Sequence, residues 1–359
     1  GRSKHSVYLF SVLRDIGMTR SGIRKFIYKT LLMAIPFVLL LVLYFALDVF
    51  KVIYDYDAFY AEDEKPGVGL NAGYISTTTF EKRHVALHYD SFVFGNSRSM
   101  YYEIADWREY LPDSSSCFHF DASLESLYAL YKKVMYIDKS GNSIHNALLI
   151  LDKSILEQDK SKDGHLYCIA PQLENYTNIF GFHCSFIKAF FSPKFLYALA
   201  DFKLSGEVKK YMAESYLLSD ERFRYDKNTN EAKSVEFERE IADGTFYNEK
   251  KMKVFEDKSF PDSVSRPVIV IKQREMLEEM VQIFKKHHTD YKIVINPLFD
   301  QIKLNPQDLG ILREIFGKEN VFDFSGTNEI TVDYHNYYED SHYRPHVARS
   351  ILKRIYTSH

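Results

Sequence analysis

Cysteine, tryptophan and net charge are what this 359-residue chain has least of: three Cys, one Trp and a formal charge of −3. Cys117, Cys168 and Cys184 form no C-x-x-C pair, which removes zinc ribbons and dithiol redox motifs. Cys168 and Cys184 either form one disulfide or are two isolated thiols, and their spacing leaves both open. No Walker loop and no Rossmann glycine fingerprint occurs, so no nucleotide cofactor is expected. Asp333, His335, His342 and His346 fit no standard zinc spacing, so no metal is expected either. His287-His288 ends an amphipathic helix, where imidazole suits the helix dipole or is solvated. Only one long apolar run is present, which excludes a many-spanning membrane protein. What remains is ordinary: 26% charged and 46% hydrophobic residues describe a globular chain.

The small net charge averages unlike parts. Seven basic residues precede Thr30 (Arg2, Lys4, Arg14, Arg20, Arg24, Lys25, Lys29) against the single acid Asp15, so this arm carries +6 and the remainder −9. An acidic main domain argues against nucleic acid as a ligand, because phosphate binding needs a basic face.

Leu31–Leu47 is seventeen uncharged residues, LLMAIPFVLLLVLYFAL. With its flanks it reads as a transmembrane helix over residues 30–50. Asp48-Val49-Phe50-Lys51 follows instead of a small-x-small cleavage site, so it is expected to be a retained signal-anchor. Basic residues accumulate on the cytoplasmic side. The expectation is therefore a single-pass protein of the cytoplasmic membrane, amino terminus inside, main domain outside. Residues 6–28 have apolar and basic residues interleaved, as an amphipathic surface helix would.

Beyond the span, residues 51–87 read as a polar, aromatic stalk with a β-leaning run at Tyr74–Phe80. An α/β rhythm follows. Short apolar runs at Ser91–Phe94, Cys117–Phe120, Ala147–Leu151, Tyr291–Ile295 and Val321–Phe324 alternate with helix-compatible stretches. This predicts a five-stranded parallel sheet covered on both faces over residues 88–357. A mostly helical insertion at 153–265 interrupts it.

In open α/β sheets ligands bind at the carboxyl ends of the strands. After the first strand stands Gly95-Asn96-Ser97-Arg98-Ser99. A Ser on a sharp strand-to-helix turn exposes its hydroxyl and its own N–H, or else simply caps the next helix. Near the carboxyl terminus stands Glu339-Asp340-Ser341-His342-Tyr343-Arg344-Pro345. One such loop can supply both a base and its orienting carboxylate. Oxyanion candidates are the N–H groups of Ser97 and Ser123 and the Asn296 amide. Arg98 and Arg344 flank the proposed site, where they would bind an anionic polymer or be solvated.

Together, Gly95–Arg98 and Glu339-x-x-His342 resemble the SGNH hydrolase superfamily. That resemblance implies a three-layer, flavodoxin-like fold, with Ser97 as nucleophile, His342 as base and Glu339 as the acid three residues before it. Asp is usual at that place, so Asp340 competes. The family's oxyanion Gly is replaced around Asp121-Ala122-Ser123, and its Gly-x-Asn-Asp block is missing, with Asp152 standing there. A single amino-terminal anchor, Gly-x-Ser-Arg and His-Tyr narrow the resemblance to the extracytoplasmic partners of membrane-bound O-acyltransferases. Teichoic-acid D-alanylation and exopolysaccharide acetylation proteins are examples. This implies a serine acyltransferase or esterase acting on a cell-surface polysaccharide or polymer through an acyl-Ser97 intermediate. The alternative is an inactive SGNH-like subunit that binds polysaccharide or acts as a scaffold.

Overall fold

The computed structural model describes residues 20–357, apart from 66, 215–216, 220–221 and 257–258. The basic arm before Arg20 lies outside the described residues. The chain divides into two compact units, one ending at Asp55 and one starting at Tyr56.

In the first unit, helix α1 (Arg20–Leu47) carries Pro36 inside it. Its Ser21–Leu47 stretch is long and apolar enough to cross a membrane, and its side chains are almost entirely exposed. Twenty-eight residues at 1.5 Å rise make about 42 Å of helix. Arg24, Lys25 and Lys29 lie on the same helix as the apolar run. The helix stops at Leu47, three residues before the expected end of the span. Asp48 turns left-handed there, with φ of 35°. Its carboxylate accepts the N–H groups of Val52, Ile53 and Tyr54 at 3.0, 3.0 and 3.1 Å.

In the second unit five strands form a parallel sheet: β1 (Ser91–Gly95), β2 (Cys117–His119), β3 (Asn146–Leu151), β4 (Asp290–Ile295) and β5 (Val321–Asp323), in the order β2-β1-β3-β4-β5. Every residue of β1 and β3 is buried, as apolar strands covered on both faces must be. Successive side chains point to opposite faces. Phe92, Phe94, Leu149, Leu151, Ile293 and Ile295 join one core. Helices α2 (Ala72–Leu87), α3 (Leu127–Lys139), α6 (Ile271–His287) and α7 (Pro306–Phe316) cover it. Val93, Leu148, Ile150 and Val294 join the other core, under Trp107 and helix α8 (Pro345–Thr357). The result is a three-layer α/β fold whose strand order reverses between β1 and β3. In open α/β sheets the ligand crevice lies at such a switch point.

Two local expectations change. The β-leaning 74–80 run is the middle of α2, and its residues Ile75–Phe80 are all buried. Asn71 caps this helix by accepting the Tyr74 N–H at 2.9 Å. Phe80 stacks on Phe120 and meets Phe92 and Phe118 edge-on, so much of the expected stalk is an element of the domain. The insertion holds helices α4 (Ile179–Phe190) and α5 (Pro193–Ser205). It also holds a hairpin, Phe223–Asp226 with Glu231–Lys233, that pairs with Asp63–Glu64 in a three-stranded antiparallel sheet. This hairpin covers the edge strand β2. Thr229 O accepts the His119 N–H at 2.8 Å, and the Asn230 amide donates to His119 O at 2.7 Å. An exposed edge is thereby removed. Cys168 is half-buried and Cys184 exposed, and both are free thiols.

Gly95 ends β1 where the backbone of β3 comes closest. A Cβ there would sit 2.8 Å from Ile150 O and 3.0 Å from the Ser99 Cβ, at a φ of +155°. Gly95→Ala is expected to destabilise the domain by about 1–3 kcal/mol, read by chemical denaturation, because the obstacle is strand backbone rather than a mobile side chain.

Candidate active site

The turn after β1 is built by Asn96. Its carbonyl accepts the Ser99 N–H at 2.9 Å and its side-chain oxygen accepts the Arg98 N–H at 3.1 Å. Residues Ser99–Tyr101 then form a short 3-10 turn. Ser97 sits half-buried at the apex. Its own N–H has no acceptor among the described residues, because the turn bonds skip it.

The second half of the site is a small hairpin ahead of α8. Tyr337 and Tyr343 pair as an antiparallel bridge, and the Tyr338 N–H donates to His342 O at 2.9 Å. The tip, Glu339-Asp340-Ser341, folds back on His342. Two buried tyrosines fix this hairpin to the loop after β4: Tyr337 donates to Pro297 O at 2.9 Å and Tyr343 to the Asn296 side-chain oxygen at 2.7 Å.

These two pieces meet. Ser97 Oγ lies 2.7 Å from His342 Nε2, and His342 Nδ1 is hydrogen-bonded to the Glu339 carboxylate. With Nδ1–H donating to Glu339, Nε2 presents its lone pair to the serine hydroxyl. Glu339 also accepts the Ser341 N–H at 2.9 Å and the Ser341 hydroxyl at 3.1 Å. Burial pushes the Glu339 carboxyl up, but its hydrogen bond and electrostatic attraction to His342 outweigh that and hold it well below the usual range. Asp340 lies beside Glu339, and it is Glu339 that reaches Nδ1. The Tyr101 ring packs edge-on against the imidazole, 5.9 Å between centroids.

Behind the serine, Asp152 holds three loops together from a buried position. One carboxylate oxygen accepts the Asn96 amide at 2.8 Å, Arg98 Nη1 at 2.9 Å and the Asn296 amide at 3.2 Å. The other caps the turn that follows β3, accepting the Ser154 N–H at 2.8 Å. Burial raises the Asp152 carboxyl, yet the Arg98 charge and these hydrogen bonds together keep it below its ordinary value. Arg98 Nε donates to Ser341 O at 2.7 Å, so a single guanidinium ties the Ser97 loop to the His342 loop. Arg344 is engaged too, bidentate on Glu238 of the insertion at 2.8 Å on both arms. Both arginines thus serve internal joints.

The oxyanion candidates divide. The Asn296 amide donates to Asp152 while its oxygen accepts Tyr343, and the Ala122 N–H is committed to Gly95 O at 3.2 Å. The Ser123 N–H, like that of Ser97, has no acceptor among the described residues. The loop carrying Ser123 is held from below by Lys133. Its buried ammonium donates to Phe120 O and Asp121 O, both at 3.1 Å, and to Glu125 at 2.6 Å. An ionised Asp152 cannot donate, so of the oxyanion candidates the backbone N–H groups of Ser97 and Ser123 are the ones without an acceptor among the described residues.

Asn96 and Glu238 carry no signal as single letters. Asn96 was findable as a short polar residue directly after a strand-ending glycine. Glu238 becomes relevant only through a contact 106 positions away. Among the described residues, no three His, Cys, Asp or Glu converge as a metal cluster. His335 pairs with Asp333 at 2.8 Å and His346 with Asn336 at 2.8 Å. Searches against protein-family models and curated proteins find no match, so the functional reading rests on this geometry: a serine, a histidine and a glutamate in line at the carboxyl ends of a parallel sheet.

Proposed function

We propose that this is a membrane-anchored serine acyltransferase or esterase of SGNH type, acting on acyl groups of a cell-surface polysaccharide or polymer. The observation that carries the reading is the Ser97–His342–Glu339 line, with Nε2 2.7 Å from the hydroxyl oxygen. In the first half-reaction Ser97 Oγ attacks the ester carbonyl carbon while His342 Nε2 takes the hydroxyl proton. Glu339 supports the imidazolium so formed. The carbonyl oxygen gathers negative charge beside the Ser97 and Ser123 N–H groups. Collapse breaks the bond to the alkoxy oxygen, which leaves with the proton from His342, and acyl-Ser97 remains. A polymer hydroxyl, or water, then repeats the sequence in reverse.

The membrane part of the reading rests on the apolar α1 and the basic arm ahead of it. Lys and Arg on the amino-terminal flank favour a cytoplasmic amino terminus in the cytoplasmic membrane, with residues from Tyr56 outside. An acyl group activated inside the cell must then be carried across, which makes a membrane-bound O-acyltransferase the fitting partner.

An inactive, polymer-binding subunit is the second reading. The commitment of the Asn296 amide to Asp152 favours it, because one side-chain oxyanion donor is thereby lost. A fluorophosphonate probe, which traps activated serines, separates the two. Treated in native membranes, the full chain is expected to be labelled at Ser97 by peptide mass, and Ser97→Ala and His342→Ala are expected to lose the label. A folded wild type without label in membranes overturns the enzyme reading.

A further inference from the structure

Helix α4, IFGFHCSFIKAF, has Lys188 as its one full charge. A helix apolar all round belongs in an interior. Only one stripe of α4 reaches one: Phe182, Phe186 and Phe190, at i, i+4 and i+8, are buried. Its opposite side faces out, with Cys184 exposed and Phe180 81% exposed. The next helix, α5, repeats this. Phe195, Ala198 and Leu199 turn inward, while Tyr197, Ala200 and Leu204 at i, i+3 and i+7 turn outward, Leu204 being 90% exposed.

Charge separates this pair from the rest of its unit. Residues 176–211 contain Lys188, Lys194, Lys203, Lys209 and Lys210 against Asp201 and Glu207, a net +3. Residues 56–359 as a whole carry −8. Asp201 is itself paired with Lys209 at 2.6 Å. Aromatic and aliphatic side chains beside lysines, within an otherwise acidic domain, suit an anionic lipid surface. A bilayer crossed by α1 would lie near the start of the second unit. Eight residues, Asp48–Asp55, join α1 to the second unit and cannot extend past about 29 Å.

We infer that α4 and α5 form a second membrane contact, lying in the headgroup region of the bilayer that α1 crosses. The inference rests on the anchored reading of α1, and the test separates the two. Cys184 is a native reporter on the outward side of α4. The full chain, with Cys168→Ser, is placed in nanodiscs of phosphatidylglycerol and phosphatidylethanolamine with a bimane label on Cys184. A second sample carries the label in α1, at Val38→Cys with Cys184→Ser. Lipids brominated high in the acyl chain, and aqueous iodide, serve as quenchers.

The expected result is lipid quenching of both labels. Iodide quenching at Cys184 is expected to be several-fold weaker than in the Phe180→Glu/Leu204→Glu variant, whose substitutions fall on exposed positions. A Cys184 label open to iodide and untouched by bromolipid, while Val38→Cys is quenched by lipid, overturns the inference and leaves the anchor standing. Protection from both quenchers also overturns it, and indicates a protein partner or a second copy on this face. Quenching by lipid at Cys184 but not at Val38→Cys overturns the anchored reading of α1, and with it the inference of a second contact beside that anchor.

Discussion

Glu339→Gln is expected to slow acylation of Ser97 by about a thousandfold or more, and Asp340→Asn to slow it by less than about tenfold. The two carboxylates are adjacent in sequence, but only Glu339 is bonded to Nδ1 of His342. A carboxylate there accepts the Nδ1 proton and leaves Nε2 free to receive the proton of Ser97. A glutamine can donate instead of accept, and a ring that accepts at Nδ1 carries its proton on Nε2, where it blocks the serine. Rates of fluorophosphonate labelling under matched conditions read the difference. Equal losses in the two variants would show that the loop as a whole, rather than one hydrogen bond, sets the imidazole. The wild-type carboxyl of Glu339 is held far below its ordinary value, so Glu339 stays ionised well into the acid range and is not expected to limit labelling of Ser97 near neutral pH.

Arg98→Met is expected to cost about 3–5 kcal/mol of stability at neutral pH, and Arg98→Met/Asp152→Asn to recover most of it. The single substitution leaves Asp152, 3% exposed, as a buried charge without its cation. The double one removes the charge while the amides of Asn96 and Asn296 stay in place. The pH dependence has a definite sign. In the wild type the Asp152 carboxyl is depressed, so its contribution is full above the ordinary carboxyl pKa of about 3.9 and fades as pH falls through the depressed value. Without Arg98, burial is no longer opposed by the guanidinium and the carboxyl rises. The variant then takes up its proton on folding and gains on the wild type as pH falls. Denaturation of both at pH 7 and pH 4 should show the gap narrowing. A constant gap would mean that lost side-chain packing, rather than charge, carries the cost.

Much of this was legible in the sequence because it is local. The five strands announce themselves as apolar runs, and the site residues stand directly after a strand or directly before a helix. What escaped is non-local or misleading in propensity. Ile75, Thr77, Thr78 and Thr79 are β-branched and read as strand, yet they form α2, because burial against the sheet outweighs a preference of a few tenths of a kcal/mol per residue. The 223–233 hairpin is polar and short, and its reason for existing is the bare edge of β2, a neighbour about 110 positions away. Arg98 and Arg344 looked available for an anionic ligand because their partners, Asp152 and Glu238, are far off in the chain. The Asn296 amide was of a suitable type, and only coordinates reveal that Asp152 already holds it.

Ser97 and His342 are 245 positions apart, so the hairpin that carries His342 is made long after the turn that carries Ser97. At about 5–20 residues per second, a ribosome needs roughly 12–50 s to travel from one to the other. Throughout that interval the nascent serine is an ordinary alcohol, with no base beside it. On the acyl-transfer reading, a chain truncated anywhere between Ser97 and His342 would carry the serine without its base, and reactivity would arrive only once His342 is in place.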